Sequence, residues 1–230
     1  MNWNEDWKIA KDALQQITVN GSDDNEPVVI SGYAEGVRCI GIGTDAAVFT
    51  YDQAPGYAFK VFTPQAIEKI PVEVSVYERL KSAPFFPICY GSDANYLVLS
   101  YEAGPTLQDC LLQGIEVPRQ VITDVEAARK YVRGVGMNPR DIHLKNVIMQ
   151  NGRAKVIDVS EYVKEGDDKR WDHLVWAYDQ LYDRIAGKSI PSWVLDTVKN
   201  WYARIGVVNN TLNLEELAKK AGDLFSRYMK

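Results

Sequence analysis

The chain has 230 residues, 46% hydrophobic and 25% charged, long enough for one large domain or two lobes sharing a cleft. A formal net charge of −5 argues against binding dominated by nucleic-acid phosphates, which calls for clustered Lys and Arg. Three scattered cysteines and two histidines argue against a disulfide framework and a Cys- or His-rich metal site.

In chain order, Trp3, Trp7, Ala10, Leu14 and Ile17 recur at helical spacing and predict an amphipathic helix over residues 3–17. This charged N-terminal stretch has no apolar core of a signal peptide, and no apolar run reaches membrane-spanning length. A cytoplasmic protein without membrane contact is therefore expected. NGSDDNEP (20–27) reads as a surface connection. Strand-like runs follow at 28–33, 37–42, 47–51 and 57–62, the last two joined as a hairpin by DQAPG (52–56). Pro71 introduces a helix over 72–80, and 87–91 and 96–101 read as two further strands.

The second half changes character. Helical patterns cover 106–113 and 122–136, and VIMQNGRAKVIDV (147–159) reads as a hairpin with Asn151-Gly152 at a type I′ turn. From Trp171 onward three helical patterns follow, the last with Asn213 as its N-cap candidate and Glu215 and Glu216 in its first turn. The expected fold class is α+β: a β-rich part over 1–102 and a mainly helical part over 103–230, joined near EAGPT (102–106), with a cleft between two lobes.

Three groups of residues could carry chemistry. Gly41, Gly43, Ala46 and Val48 fit G-x-G-x-x-[small]-x-V between two strands, which excludes a Rossmann turn, since that opens a helix. A loop folded back between antiparallel strands can lay backbone N–H groups over phosphates, and bulky side chains would hold it away. By itself the stretch fits an ordinary hairpin turn equally well. In the run 57–62, alternation puts Ala58 and Lys60 on one face and Phe59 and Val61 on the other. A lysine on a central strand calls for an anionic partner. Glu73 in the following helix is the first candidate, with Glu68 and Glu78 as rivals.

The third group is PRDIHLKN (139–146) with VIDVSEY (156–162). Asp141 and Asn146 lie five positions apart, and Asp158 follows twelve after the asparagine. Phosphoryl transfer needs a carboxylate beside the acceptor hydroxyl, plus an amide and a second carboxylate for magnesium. Singly, each residue could instead start a turn, cap a hairpin or end one.

Taken in order, these motifs resemble the protein-kinase-like superfamily over about residues 37–180. The resemblance implies an ATP- and Mg²⁺-dependent phosphotransferase, with Gly41–Val48 as glycine-rich loop and Lys60 as phosphate-anchoring lysine paired with Glu73. It implies a hinge strand at Tyr96–Glu102, with Leu99 near the gatekeeper, and ATP contacts at Ala58, Leu99, Ser100, Tyr101 and Glu102. Asp141 becomes the catalytic aspartate, and Asn146 and Asp158 the magnesium ligands. Pro139 stands in place of the histidine of H-R-D, and Ser160 in place of the glycine of D-F-G. His143 stands where aminoglycoside and choline-type phosphotransferases often have histidine. Only fourteen positions separate Asp158 from Asp172, too few for a regulatory activation loop.

GTDAAVF, AFKVF and IDVS are similar to the corresponding stretches of RIO-type atypical kinases. The expected activity is transfer of the γ-phosphate of ATP to a Ser or Thr of an unidentified protein. A small-molecule kinase and a nucleotide-binding pseudokinase scaffold are the alternatives. Other features read as structural: Asp172 as an N-cap or a brace for the 139–146 segment, and EGDD (165–168) as a solvated turn. Arg140 is expected either to pair with an acid or to face solvent. Ala46→Leu is expected to weaken ATP binding and leave the fold intact.

Overall fold

The computed structural model describes residues 5–22, 26–166, 168–208 and 214–228, and the backbone alone for 204–208. Trp3, Asp23, Asp24, Asn25, Asp167 and Asn213, which figure in the sequence reading, lie outside the described residues. The fold is α+β and forms two units. The first comprises Met1–Ala103, Val132–Asn138 and Val159–Val163; the second comprises Gly104–Tyr131, Pro139–Asp158 and Lys164–Lys230.

The first unit opens with a 3₁₀ turn, Asp6–Ala10, that runs into a single-turn helix α1 (Lys11–Leu14). The expected helix does not reach residue 17. Ile17 instead starts strand β1 (Ile17–Asn20), where Ile17 and Val19 are buried while Thr18 and Asn20 are exposed. That period of two suits a strand, and β1 pairs antiparallel with β2 (Val29–Gly32). Gly32 has φ +88°, and a Cβ there would stand 2.0 Å from the Gln16 carbonyl oxygen, so only glycine fits opposite Ile17.

The main sheet has five antiparallel strands: β3 (Val37–Ile42), β4 (Ala46–Tyr51), β5 (Tyr57–Phe62), β6 (Cys89–Asp93) and β7 (Tyr96–Ser100), in the order β3-β4-β5-β7-β6. Helix α2 (Lys69–Leu80) lies in sequence between β5 and β6. It starts three residues before the expected 72, because Pro71 sits inside its first turn, where the missing N–H costs nothing. On one face of β5, Phe59 and Val61 join Trp7, Ala10, Leu14, Ile17, Val98 and their neighbours in one apolar cluster. On the other, Phe62 packs with Ala46, Ala66, Ile70 and Leu97. The N-terminal segment is therefore part of this core; Trp7 meets the edge of Tyr96, with ring centroids 6.5 Å apart.

In the second unit, helix α3 (Leu107–Gln113) starts on a capping box. Thr106 Oγ1 accepts from the Asp109 N–H at 3.1 Å, and Asp109 Oδ2 accepts from the Thr106 N–H at 3.0 Å. Helix α4 (Arg119–Gly134) presents buried Asp124 to the hairpin β8 (Val147–Gln150) and β9 (Arg153–Val156). Asp124 accepts from Arg153 Nε at 2.7 Å and from the Ala154 N–H at 3.0 Å. Arg153, the largest influence, holds this carboxyl below the usual carboxylate range. The turn residues Asn151 and Gly152 have φ +50° and +75°, as a type I′ turn requires. Strand β9 ends at Val156, three residues earlier than expected, so Asp158 lies just beyond the ladder.

Helices α5 (Arg170–Ile185), α6 (Ser192–Val208) and α7 (Leu214–Tyr228) complete the unit. The residue preceding α5 is Lys169, so Asp172 is no N-cap. It lies in the first turn and ion-pairs with buried Arg129 of α4 at 2.8 Å. Among the described residues no helix is long and apolar enough to cross a membrane.

Candidate active site

Strand β5 lies inside the sheet, with Lys60 opposite Val48 of β4 and Leu97 of β7. Its ammonium donates to both carboxylate oxygens of Glu73 at 2.8 Å. Glu73 shares the inward face of α2 with Ile70, Val76, Tyr77 and Leu80, and only 1% of its side chain is exposed. The rivals Glu68 and Glu78 are both exposed. Helix periodicity, three and four residues apart, therefore selects Glu73 from the three carboxylates. Across the neighbouring ladder, buried Ala58 stands opposite buried Leu99. At the end of β7, Ser100 Oγ donates to Glu102 at 2.6 Å, and just beyond it the Tyr101 N–H donates to the Gly56 carbonyl at 3.0 Å.

The stretch 41–48 is a tight connection from β3 to β4. Gly41 pairs with Val48, and the Gly43 N–H donates to the Ala46 carbonyl at 2.9 Å. A Cβ at Gly43 would stand 3.3 Å from that oxygen, a tight contact that the Ala46 carbonyl would have to yield to by a few tenths of an ångström. Among the described residues nothing accepts from the N–H groups of Thr44 and Asp45. Two such adjacent donors are what an anion-binding turn offers. The Asp45 carboxylate is held by Lys69 at 2.7 Å.

Ala46 has a different reason to be small: it is buried against Phe62, Ala66, Ile70 and Leu97. Ala46→Leu therefore overpacks this cluster and should cost about 1–3 kcal/mol of stability, read as a lower urea midpoint. An unchanged midpoint would show that the cluster has room. This replaces the expectation that the substitution leaves the fold intact.

In the second unit, Asp141 has a left-handed backbone, φ +55°, rare for a non-glycine residue. Its N–H donates to Asp168 Oδ2 at 2.7 Å, and its carboxylate ion-pairs through Oδ1 with the Arg170 guanidinium. Only 7% of the Asp168 side chain is exposed. Burial pushes its carboxyl up, but the N–H groups of Arg170 and Asp141 outweigh this and hold it below the ordinary range. Asp168 is thus not part of a solvated turn. It is the brace of the Asp141 backbone, a role the sequence reading offered to Asp172.

Asn146 is fixed from both sides. Its Nδ2 donates to the Asp141 carbonyl at 3.0 Å and its N–H to the His143 carbonyl at 2.9 Å. Its own carbonyl accepts from the Ile157 N–H at 3.0 Å, which brings the adjoining Asp158 alongside. With Nδ2 committed, nothing among the described residues donates to Asn146 Oδ1. His143 Nδ1 accepts from the Lys145 N–H at 3.2 Å, so its proton sits on Nε2, 3.7 Å from Asp141 Oδ1. Burial lowers the His143 pKa against the opposing pull of Asp141, which keeps the ring neutral at pH 7. The same ring senses the charges of Arg170, Asp158 and Lys145, so these groups share one neighbourhood with Asp141. Arg140 Nη1 donates to the Glu165 carbonyl at 2.6 Å.

Structure thus gathers Asp141, Asn146 and Asp158 around one turn and pairs Lys60 with Glu73. Sequence reasoning missed Asp168 and Arg170. The only signal was an acid and an arginine just before an apolar helix, which looks the same as a solvated turn.

The donors fit magnesium in one way only. Among the described residues there is no group of three or more His, Cys, Asp and Glu able to cage a metal. Magnesium commonly takes one or two protein carboxylates and completes its shell with water and substrate phosphates. Asn146 Oδ1 with Asp158 supplies hard oxygen donors of that kind.

No protein-family model matches the chain. It is 33% identical over 179 residues to the putative serine/threonine-protein kinase YrzF of Bacillus subtilis (strain 168), covering 74% of this chain and 83% of that protein. The chain belongs to that kinase-like family. The α+β fold with its multi-stranded antiparallel sheet is compatible with such membership.

Proposed function

We propose that this family member is an ATP- and magnesium-dependent kinase of two-lobed, RIO-like form that phosphorylates serine or threonine hydroxyls of a protein. The observation that carries the reading is the Asp141 turn. A strained backbone is held by Asp168, with Asn146 locked so that its amide oxygen stays available. Strain of this kind persists only where surrounding structure over-determines it, and it concentrates at functional sites. The name of the 33% identical relative supports the acceptor class.

Bound MgATP would supply the γ-phosphoryl group, with magnesium neutralising phosphate charge. Lys60, oriented by Glu73, holds phosphate oxygens. The N–H groups of Thr44 and Asp45 add donors that cost no side-chain entropy. Asn146 and Asp158 hold the metal. Asp141 orients the acceptor hydroxyl and takes its proton. His143, neutral with its proton on Nε2, lies beside that carboxylate without adding charge.

A second reading, a small-molecule acceptor, is favoured by the short connection from Asp158 to the start of α5 at Arg170. It offers little backbone on which to lay out a peptide. Incubation with γ-labelled ATP and Mg²⁺ separates the two. Label on serine or threonine of protein supports the proposal; label confined to low-molecular-weight products replaces it with the second reading.

A further inference from the structure

Arg170 is the first residue of α5, and its side chain is 47% exposed. Its guanidinium pairs with Asp141 Oδ1 through Nη1 and with Asp168 Oδ1 through Nε at 3.2 Å. The Arg170 N–H also donates to Asp168 Oδ1 at 2.9 Å. Asp168 therefore anchors both ends of this arginine while holding the Asp141 N–H on its other oxygen. The remaining terminal nitrogen, Nη2, has no partner among the described residues.

Asp141, Asp158 and Asp168 are three carboxylates in one neighbourhood. A phosphoryl group in transfer adds negative charge spread over its equatorial oxygens. An acceptor hydroxyl also needs a carboxylate oxygen of Asp141, and Arg170 holds one. Arginine remains charged at any working pH, and its planar fork matches phosphate oxygens.

We infer that Arg170 is a catalytic residue, a cis-acting arginine that pivots on Asp168 from the Asp141 carboxylate to the γ-phosphoryl oxygens as transfer occurs. The inference rests on the kinase reading above. In the step, the acceptor oxygen forms a bond to the γ-phosphorus. The bond from that phosphorus to the β,γ-bridging oxygen breaks, and its electron pair leaves on ADP. The hydroxyl proton passes to the Asp141 oxygen that Arg170 has vacated, and then to water. Arg170 takes up the charge that develops on the transferring group and forms no covalent bond.

The test uses the full chain and γ-labelled MgATP. Arg170→Ala is expected to lower turnover about 10²-fold, the scale for losing one preorganised transition-state contact. MgADP affinity should stay at the parent value, while affinity for MgADP with aluminium fluoride, a mimic of the transferring group, falls. Added guanidinium should restore part of the turnover of Arg170→Ala. Arg170→Lys, which keeps the charge but loses the fork, should fall between parent and Arg170→Ala. Turnover at or above the parent rate overturns the inference, because Arg170 then only restrains Asp141. So does an equal loss of affinity for MgADP and its aluminium fluoride complex without guanidinium rescue, which marks a structural role. A parent without magnesium-dependent turnover overturns the kinase reading itself, and shows this before any variant is made.

Discussion

Asp141→Asn is expected to lower turnover of γ-labelled ATP by about 10²–10⁴-fold, the range for removing a positioned proton acceptor. The amide matches the carboxylate in size, so the left-handed turn and the Asp168 bond to the residue 141 N–H should survive. What is lost is the negative charge and the oxygen that takes the proton. The ion pair to Arg170 goes as well, but its partners are 27% and 47% exposed. Solvent screening limits the stability cost of that loss to about 1 kcal/mol or less. Activity should therefore collapse while the urea midpoint barely moves. A variant retaining parental turnover would remove Asp141 from the chemistry, and with it the reason for the strained turn.

The second large effect separates stability from function at the Lys60–Glu73 pair. Lys60→Met alone takes away the ammonium that both oxygens of the Glu73 carboxylate accept from, at a side chain only 1% exposed. Breaking a buried pair from one side costs about 3–5 kcal/mol. Replacing both partners by apolar residues of similar volume removes that penalty, and such exchanges are often neutral or stabilising by about 1–4 kcal/mol. Lys60→Met with Glu73→Leu should therefore unfold at or above the parental urea concentration, while the single variant unfolds far earlier. If the pair exists to hold phosphate, the double variant is well folded and yet loses MgATP turnover. Parental turnover in that double variant would reduce the pair to a structural brace.

Local chemistry made much of the fold legible. Strand β5 begins and ends at Tyr57 and Phe62 as its alternation predicts, and Asn151-Gly152 makes the turn its φ preferences demand. Glu73 could be ranked first, and geometry then separated it from Glu68 and Glu78 through the buried face of α2. What failed depended on distant partners. Ile17 fits a helical stripe as well as a strand, and its pairing with Gly32, fifteen residues away, decides between them. Ala46 looked small for the sake of phosphates, but Ile70 and Leu97 close over it. Asp168 and Arg170 read as surface charges because the residue they serve, Asp141, lies 27 and 29 positions earlier.

The most direct test of the account is magnesium-dependent release of the γ-phosphoryl group of ATP, compared between the parent and Asp158→Ala. The account predicts transfer by the parent that requires Mg²⁺ and falls by at least about 10²-fold in the variant, with ADP as co-product. Equal turnover in both proteins, or none in a parent that is folded, would contradict it.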